Sequence, residues 1–152
     1  MNRLERSSAA VALLLAVLAA TAGAQNRRAD QFTARISTVP ISSAEVDTIT
    51  GRGTATARLD GRTLRVQGAF EGMQGSATSG ALHLGSVMGV RGPAFAPLDV
   101  TRAPSGEITG NVELNGDQVD ALRSGRIYIQ VHSEAAPEGN LWGWLLASEA
   151  RR

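Results

Sequence analysis

The sequence predicts an all-β fold: an antiparallel β-sandwich of the Greek-key or immunoglobulin-like type, with one short helix before the penultimate strand. Two observations carry this prediction. Apolar and polar residues alternate with a period of two through most of the chain from Phe32 to Ala147, as in strands that bury one face. Glycines and prolines punctuate these runs at short intervals, which favours many short strands over an alternating α/β fold.

The first strands include a predicted hairpin. An opening strand spans Phe32–Ile36, and two further alternating runs lie at 54–59 and 64–70. Asp60-Gly61 separates these two runs, and an Asp-Gly pair in that position is a strong signal for a β-hairpin. Further strands are expected at Gly80–Leu84, Phe95–Thr101, Glu107–Leu114, Arg126–His132 and Leu141–Leu146.

One segment departs from the period of two. Asp117 is a suitable N-cap for a short helix in which Val119 and Leu122 share a face. Gly125 stands where a helix commonly ends in a left-handed residue. This helix would deliver the chain directly into the next strand.

Residues 1–24 are typical of a secretory signal peptide rather than of a fold. Arg3 and Arg6 precede an apolar run, Ala9–Ala20, and Ala22–Ala24 supplies a small-residue cleavage pattern. Twelve apolar residues are too few to span a bilayer, although an uncleaved membrane anchor is the alternative. We expect cleavage before Gln25 and export to the periplasm or beyond.

The remaining chain divides into an N-terminal extension at 25–30, one domain at 31–147 and a polar tail at 148–152. After cleavage, 13 arginines face 13 acidic residues, so the formal charge is zero. A neutral chain has no long-range attraction to nucleic acid or to an anionic membrane, and we expect neither a nucleic-acid partner nor a membrane span in the mature chain. Cysteine and lysine are absent, which excludes disulfides, thiolate sites and lysine chemistry.

The chain has two histidines, His83 and His132. Each alternates with apolar neighbours, so both are expected to point away from the core, on strands that can lie close together. They are either ligands of a transition metal such as copper or zinc, or a general base, or partly exposed residues that hold loops by hydrogen bonds. No adjacent acid or third histidine completes a recognisable ligand set, so no cofactor is expected, with a transition metal as the alternative.

The last predicted strand, Leu141–Leu146, is apolar on both faces, with Trp142 and Trp144 on one of them. A strand that already buries one face does not carry two tryptophans on the other unless something covers them. The cover is either the chain's own loops, at Ser86–Pro93 or Ser133–Gly139, or a partner.

Tyr128, Gln130 and His132 share one face of the preceding strand. Together with Trp142 and Trp144 they form the candidate binding surface, which suits a protein partner or self-association. No nucleophile elbow, phosphate-binding loop or recognisable acid pair is present, so no catalytic residue is assigned.

The order of these features resembles the CHRD domain, a module named from chordin and also found in bacterial exported proteins. The resemblance spans about 31–147, and its most specific parts are Leu122–Ser133 followed by Pro137–Gly143. Ala81–Gly85 with Gly89 and Gly92-Pro93 is similar to the family's His-Ile-His-x-Gly and Gly-x-x-Gly-Pro segment. The resemblance implies a β-sandwich in an extracytoplasmic protein with no established catalytic activity.

The departures from the family pattern bear on function. Ala81 replaces the first histidine of an alternating pair, and His83 keeps the second. Asn140 and Trp142 replace a glutamate and an arginine, and Trp144 stands in a usually polar place, so a polar face has become aromatic. We therefore expect an exported, non-enzymatic binding module. The alternatives are a weak transition-metal-binding protein, or a small structural subunit of a periplasmic enzyme assembly.

Overall fold

A computed structural model describes residues 30–40, 42, 44–45 and 47–148. The expected signal segment, nearly all of the N-terminal extension and most of the polar tail lie outside these residues. The strands are β1 Gln31–Thr38, β2 Arg52–Asp60, β3 Thr63–Glu71, β4 Ala77–Leu84, β5 Ala94–Val100, β6 Gly106–Glu113, β7 Ile127–Ser133, β8 Leu141–Trp144 and β9 Leu146–Ala147, with helix α1 at Gly116–Arg123. The predicted all-β antiparallel fold with one short helix is confirmed.

Apolar and polar residues alternate along these strands, most clearly in the β2–β3 hairpin. Buried and exposed residues alternate along both strands, and Asp60 pairs with Thr63 across the turn. Gly61 adopts φ +61°, a left-handed value that glycine takes without a steric penalty. The predicted hairpin is confirmed, with Gly61 and Arg62 rather than Asp60 and Gly61 between the strands.

The sheet closes on itself, and this differs from the predicted sandwich. The strands follow the order β2-β3-β6-β5-β4-β7-β8-β1, and β1 also pairs with β2, so eight strands form a closed antiparallel barrel. Strands β3 to β6 form a Greek key, because β4, β5 and β6 are consecutive neighbours and β3 lies beside β6. The Greek-key element of the prediction is therefore present, whereas an immunoglobulin-like pair of separate sheets is not.

Two strands close the barrel by changing partner along their length. Strand β1 pairs with β2 up to Ile36 and then with β8 through Ser37 and Thr38. Strand β5 pairs with β4 up to Leu98 and then with β6 through Asp99 and Val100. Each of these closing contacts is only two residues long, so local periodicity gave no sign of it.

The inward side chains of the barrel form one continuous apolar core. Its largest fully buried members are Phe32, Ile36, Leu64, Leu82, Ile108, Leu114, Leu122, Ile127, Ile129, Leu141 and Leu145. Burial of each such side chain is worth about 1.5–3 kcal/mol relative to exposure. The predicted strand at the C-terminus divides at Leu145, a buried residue between β8 and β9. Its backbone N–H donates to Ile127 O at 3.0 Å.

The N-cap of helix α1 lies two residues earlier than the sequence predicted. Asn115, not Asp117, is the N-cap: its side chain accepts from the backbone N–H of Gln118, and the Gln118 side chain accepts from the backbone N–H of Asn115. This reciprocal pair is a capping box. At the other end Gly125 has φ +66°, which confirms the predicted terminator. Among the residues described, no helix is long and apolar enough to cross a membrane.

Candidate functional site

The predicted binding residues lie together on the outer side of strands β4, β7 and β8. His83 pairs with Tyr128, which pairs with Trp144, and Gln130 pairs with Trp142. Because side chains alternate along a strand, these residues and His132 all face away from the barrel core. We call this set the aromatic face: His83, Tyr128, Gln130, His132, Trp142 and Trp144.

The rings of the aromatic face are in mutual contact. The centroid of Tyr128 lies 4.5 Å from that of Trp144 and 5.7 Å from that of Trp142, the second at an interplanar angle of 82°. His83 stacks on the other side of Tyr128 at 4.9 Å. Aromatic pairs at such separations contribute about 0.5–1.5 kcal/mol beyond their buried area. Tyr128 is therefore the centre of the cluster.

Two loops of the same chain cover much of this face. The first, residues 85–93, is called the Gly92 loop, and the second, residues 134–140, the Pro137 loop. Tyr128 is 1% exposed, Gln130 4% and His83 8%, whereas His132 and the two tryptophans are half-buried. The sequence left open whether loops or a partner cover the tryptophans; the structure places both expected loops over part of the face.

The Gly92 loop is fixed by hydrogen bonds to β4 and β7. Tyr128 Oη accepts from Gly92 N at 3.1 Å and donates to Gly92 O at 3.2 Å. His83 Nδ1 lies 2.9 Å from the same carbonyl oxygen. A Cβ on Gly85 would stand 2.6 Å from Trp144 Cη2 and 2.6 Å from Val90 O, so glycine permits the loop to pack directly against the tryptophan.

The Pro137 loop is fixed by the other polar residues of the face. His132 Nδ1 lies 2.7 Å from Pro137 O, and Gln130 Nε2 donates to Glu138 O at 3.2 Å. Gly139, with φ +133°, brings its backbone against the Gln130 amide. Both histidines thus hold loops by hydrogen bonds, as one of the two interpretations of the sequence expected. His83, however, is buried rather than partly exposed.

A buried polar network that the sequence did not indicate supports the Pro137 loop. Asn140 is 0% exposed; its Nδ2 donates to Thr50 O at 2.7 Å, and its Oδ1 accepts from Ser133 Oγ at 2.8 Å. Trp142 packs against a small apolar cluster of Val39, Ile49 and Ala136. Val39 and Ile49 therefore shield part of Trp142. These contacts join residues far apart in sequence, for which alternation carries no signal.

The ionisation of His83 follows from its burial. Desolvation lowers the pKa of His83 below its usual value; the hydrogen bond to Gly92 raises it, and the charges of His132 and Arg91 lower it further. The ring is neutral at pH 7. Within the described part of the chain, no group of three or more histidine, cysteine, aspartate or glutamate side chains is arranged to hold a metal ion.

Sequence reasoning missed the apolar tip of the Gly92 loop. Val87 is 56% exposed, Met88 59% and Val90 47%. The signal was visible as three large apolar residues inside a glycine-rich connection, a place where polar residues are usual. Leu146, the fourth exposed large hydrophobic residue of the described chain, lies next to Gly125.

These features define a class: a small closed β domain whose outer aromatic face is covered by its own loops. The sequence pattern of the CHRD domain matches residues 32–145, and the chain belongs to the CHRD domain family. No curated protein matches the chain. Among solved structures, the chain is similar to the clock protein EA4, at 11% identity and a TM-score of 0.47, over 78% of this chain and 95% of that one.

Proposed function

We propose that this protein is an exported, non-enzymatic binding module that takes a protein partner at the Gly92 loop and the adjoining edge of the aromatic face. One observation carries the proposal: the exposed large hydrophobic residues of the described chain gather at one end of that face. They are Val87, Met88, Val90 and Leu146. Contiguous exposed apolar residues on a soluble domain mark interaction sites more often than chance.

Contacts on either side of Arg126 place these four residues at the same end of the barrel. The Gly92 loop begins with Gly85, whose N–H donates to Arg126 O at 2.9 Å. Leu146 Cδ2 lies 3.1 Å from the Cβ position of Gly125, the residue before Arg126. The loop tip and Leu146 therefore stand at the same end of the barrel, with half-buried Trp144 between β7 and the loop.

The chemistry of this surface suits a protein partner. Methionine and tryptophan are enriched in the centres of protein interfaces, and charged residues are depleted there. Because Tyr128 and His83 fix the loop in place, the apolar tip is held in position before binding, which reduces the entropy lost on association. His132, Trp142 and Gln130 extend the surface as a polar and aromatic rim.

A site-specific crosslinking experiment tests the proposal. A photoreactive amino acid at position 88 is expected to capture one partner from the organism's own exported fraction, and the same residue at position 56, exposed on β2, is the matched control. An excess of unlabelled wild-type protein should compete with this capture, whereas unlabelled Val87→Ser or Met88→Ser should not. Equal capture from positions 88 and 56 would contradict the proposal. Amine-directed reagents are unsuitable because the chain lacks lysine.

Two further assignments belong to this proposal. Export depends on the signal segment at 1–24, and N-terminal sequencing of the protein recovered from its native source should give Gln25 as the first residue. A chain that begins at Met1 would contradict it.

Self-association through the same surface is the alternative to a separate partner, and sedimentation at increasing protein concentration distinguishes the two.

A further inference from the structure

Both histidines are anchored through Nδ1, which leaves Nε2 of His83 without a partner and Nε2 of His132 with only a 3.4 Å contact to the Gln130 amide. Nδ1 of His83 lies 2.9 Å from Gly92 O, and Nδ1 of His132 lies 2.7 Å from Pro137 O. A carbonyl oxygen only accepts, so each Nδ1 carries the proton and each neutral ring keeps its lone pair on Nε2. Metal-ligating histidines are oriented in this way, with one nitrogen bonded to a backbone carbonyl and the other free to coordinate.

Two buried acceptors on this face have no hydrogen-bond partner. They are His83 Nε2 and Gln130 Oε1, in residues that are 8% and 4% exposed. Buried polar atoms are nearly always paired, so two orphans in one cluster require an explanation. Gln130 also lies beside the second ring, with its Nε2 3.4 Å from His132 Nε2. Two of the three lone-pair donors, His83 Nε2 and Gln130 Oε1, therefore have no proton donor, and the third, His132 Nε2, has only this long contact with the Gln130 amide.

The separation of the rings fits one shared ion. The centroids of His83 and His132 are 6.3 Å apart, with an interplanar angle of 34°. Two metal–nitrogen bonds of about 2.0–2.1 Å, together with the distance from each nitrogen to its ring centre, span roughly this separation. The ring separation is therefore compatible with one ion shared by the two imidazoles.

The charges around the cluster favour an ion of low charge. The ionisable groups that act on His83 are both basic, His132 and Arg91, and the donor atoms themselves are neutral. Among the residues that the structure describes, no carboxylate joins the two histidines in a metal-binding group, so a buried divalent cation would lack an anionic ligand to offset its desolvation. Because the Born energy rises with the square of the charge, a monovalent ion incurs about a quarter of that cost. Copper is an imidazole-binding metal with a stable monovalent state.

We infer that His83 Nε2 and His132 Nε2, with Gln130 Oε1 beside them, form a binding site for one monovalent copper ion beneath the Gly92 loop. The ion is held and not oxidised or reduced. The site is distinct from the apolar loop tip, so copper binding and partner capture are separable measurements.

The test is a Cu⁺ titration of the purified protein, without an affinity tag that contains histidine, under anaerobic conditions and against a chromophoric Cu⁺ chelator. One Cu⁺ per chain is expected. His83→Gln and His132→Gln should each weaken Cu⁺ binding about tenfold or more, as loss of metal-site partners does. Because His132 is half-buried, its substitution tests the site even if His83→Gln fails to fold.

Two controls sharpen the result. Met88→Leu removes the exposed thioether of the loop tip and should leave the Cu⁺ affinity unchanged. Zn²⁺, a divalent ion that also binds imidazole, should bind more weakly than Cu⁺. No Cu⁺ binding by the wild-type protein, unchanged binding in both histidine variants, loss in Met88→Leu, or preference for Zn²⁺ would each overturn the inference.

Discussion

The hydroxyl of Tyr128 makes two hydrogen bonds to the backbone of Gly92, accepting from its N–H at 3.1 Å and donating to its carbonyl oxygen at 3.2 Å. His83 Nδ1 donates to the same oxygen at 2.9 Å. Three hydrogen bonds from two strands thus converge on one loop residue. These hydrogen bonds hold the glycine-rich Gly92 loop over the aromatic face. They also fix the position of the exposed loop tip relative to that face.

Tyr128→Phe should lower the free energy of unfolding by about 1–2 kcal/mol, because the Gly92 N–H loses its partner while the ring keeps its packing. Urea denaturation measures the change. Thr54→Val, which removes an exposed hydroxyl from β2, is the control and should stay within about 0.5 kcal/mol of the wild type. Equal losses in the two variants would show that the Tyr128 hydroxyl does not hold the loop.

Gly92→Ala should destabilise the domain more than Tyr128→Phe does. A Cβ at Gly92 would overlap the backbone oxygen of Leu84, and backbone cannot yield as a flexible side chain can. We expect a loss of about 2 kcal/mol or more, read by thermal or urea unfolding, together with greater acrylamide quenching of Trp144. Gly116→Ala is the matched control: nothing lies within 4 Å of its Cβ position, and alanine favours the helix.

The sequence predicted the aromatic face because the side of a strand on which a residue lies depends only on its position along that strand. Once β7 and β8 are strands, Tyr128, Gln130 and His132 must share one side, and Trp142 and Trp144 must share one side of the neighbouring strand. For the loop that covers this face, the sequence indicated its existence but not the contacts that hold it in place. Glycines at 85, 89 and 92 indicated a loop, but the bond from Gly92 to Tyr128 joins residues 36 positions apart.

The errors of the sequence prediction have physical causes. Asn115 and Asp117 are both good N-caps, and the choice depends on Gln118, which completes a capping box only with Asn115. Barrel closure depends on β1 and β5, which change partners over two residues each. Such short, long-range pairings leave no period in the sequence, so a sandwich was the simpler expectation.

Acidification should destabilise the domain through His83. Burial lowers its folded pKa below the unfolded value of 6.5, so the unfolded chain binds the proton more tightly. The stabilising contribution of the neutral ring is fully present above pH 6.5 and is lost as the pH falls below that value toward the folded pKa. Urea titrations between pH 5 and pH 7.5 measure this slope, and His83→Phe, which keeps a ring on Tyr128, should flatten it.

A slope that is unchanged in His83→Phe would assign the acid sensitivity to another group. The comparison is informative because His83→Phe keeps an aromatic ring at the position that stacks on Tyr128, at 4.9 Å in the wild type, but cannot bind a proton there. The Phe variant also loses the bond to Gly92, so its stability at pH 7.5 should fall by about 1 kcal/mol. The prediction is tested by how the free energy of unfolding changes with pH, and not by its difference between the two proteins at pH 7.5.

Asn140 should be the polar side chain least tolerant of substitution on this side of the barrel. It is fully buried, donates to Thr50 O at 2.7 Å and accepts from Ser133 Oγ at 2.8 Å. Asn140→Ala removes the donor to Thr50 O and the acceptor of the Ser133 hydroxyl proton, and should cost about 2–3 kcal/mol in urea unfolding. Asn111→Ala, exposed on β6, is the control and should cost less than about 0.5 kcal/mol.

Asn140→Asp separates the hydrogen-bond geometry from the charge. An aspartate has nearly the same shape, but its ionised carboxylate cannot donate to Thr50 O and is a buried, unpaired charge. It should therefore destabilise the domain more than alanine does at pH 7, and the difference should shrink as the pH falls and the carboxyl group takes up a proton. If Asn140→Asp is as stable as the wild type at pH 7, the hydrogen bond that Asn140 donates to Thr50 O is not what holds Ile49 and Thr50 beside Trp142.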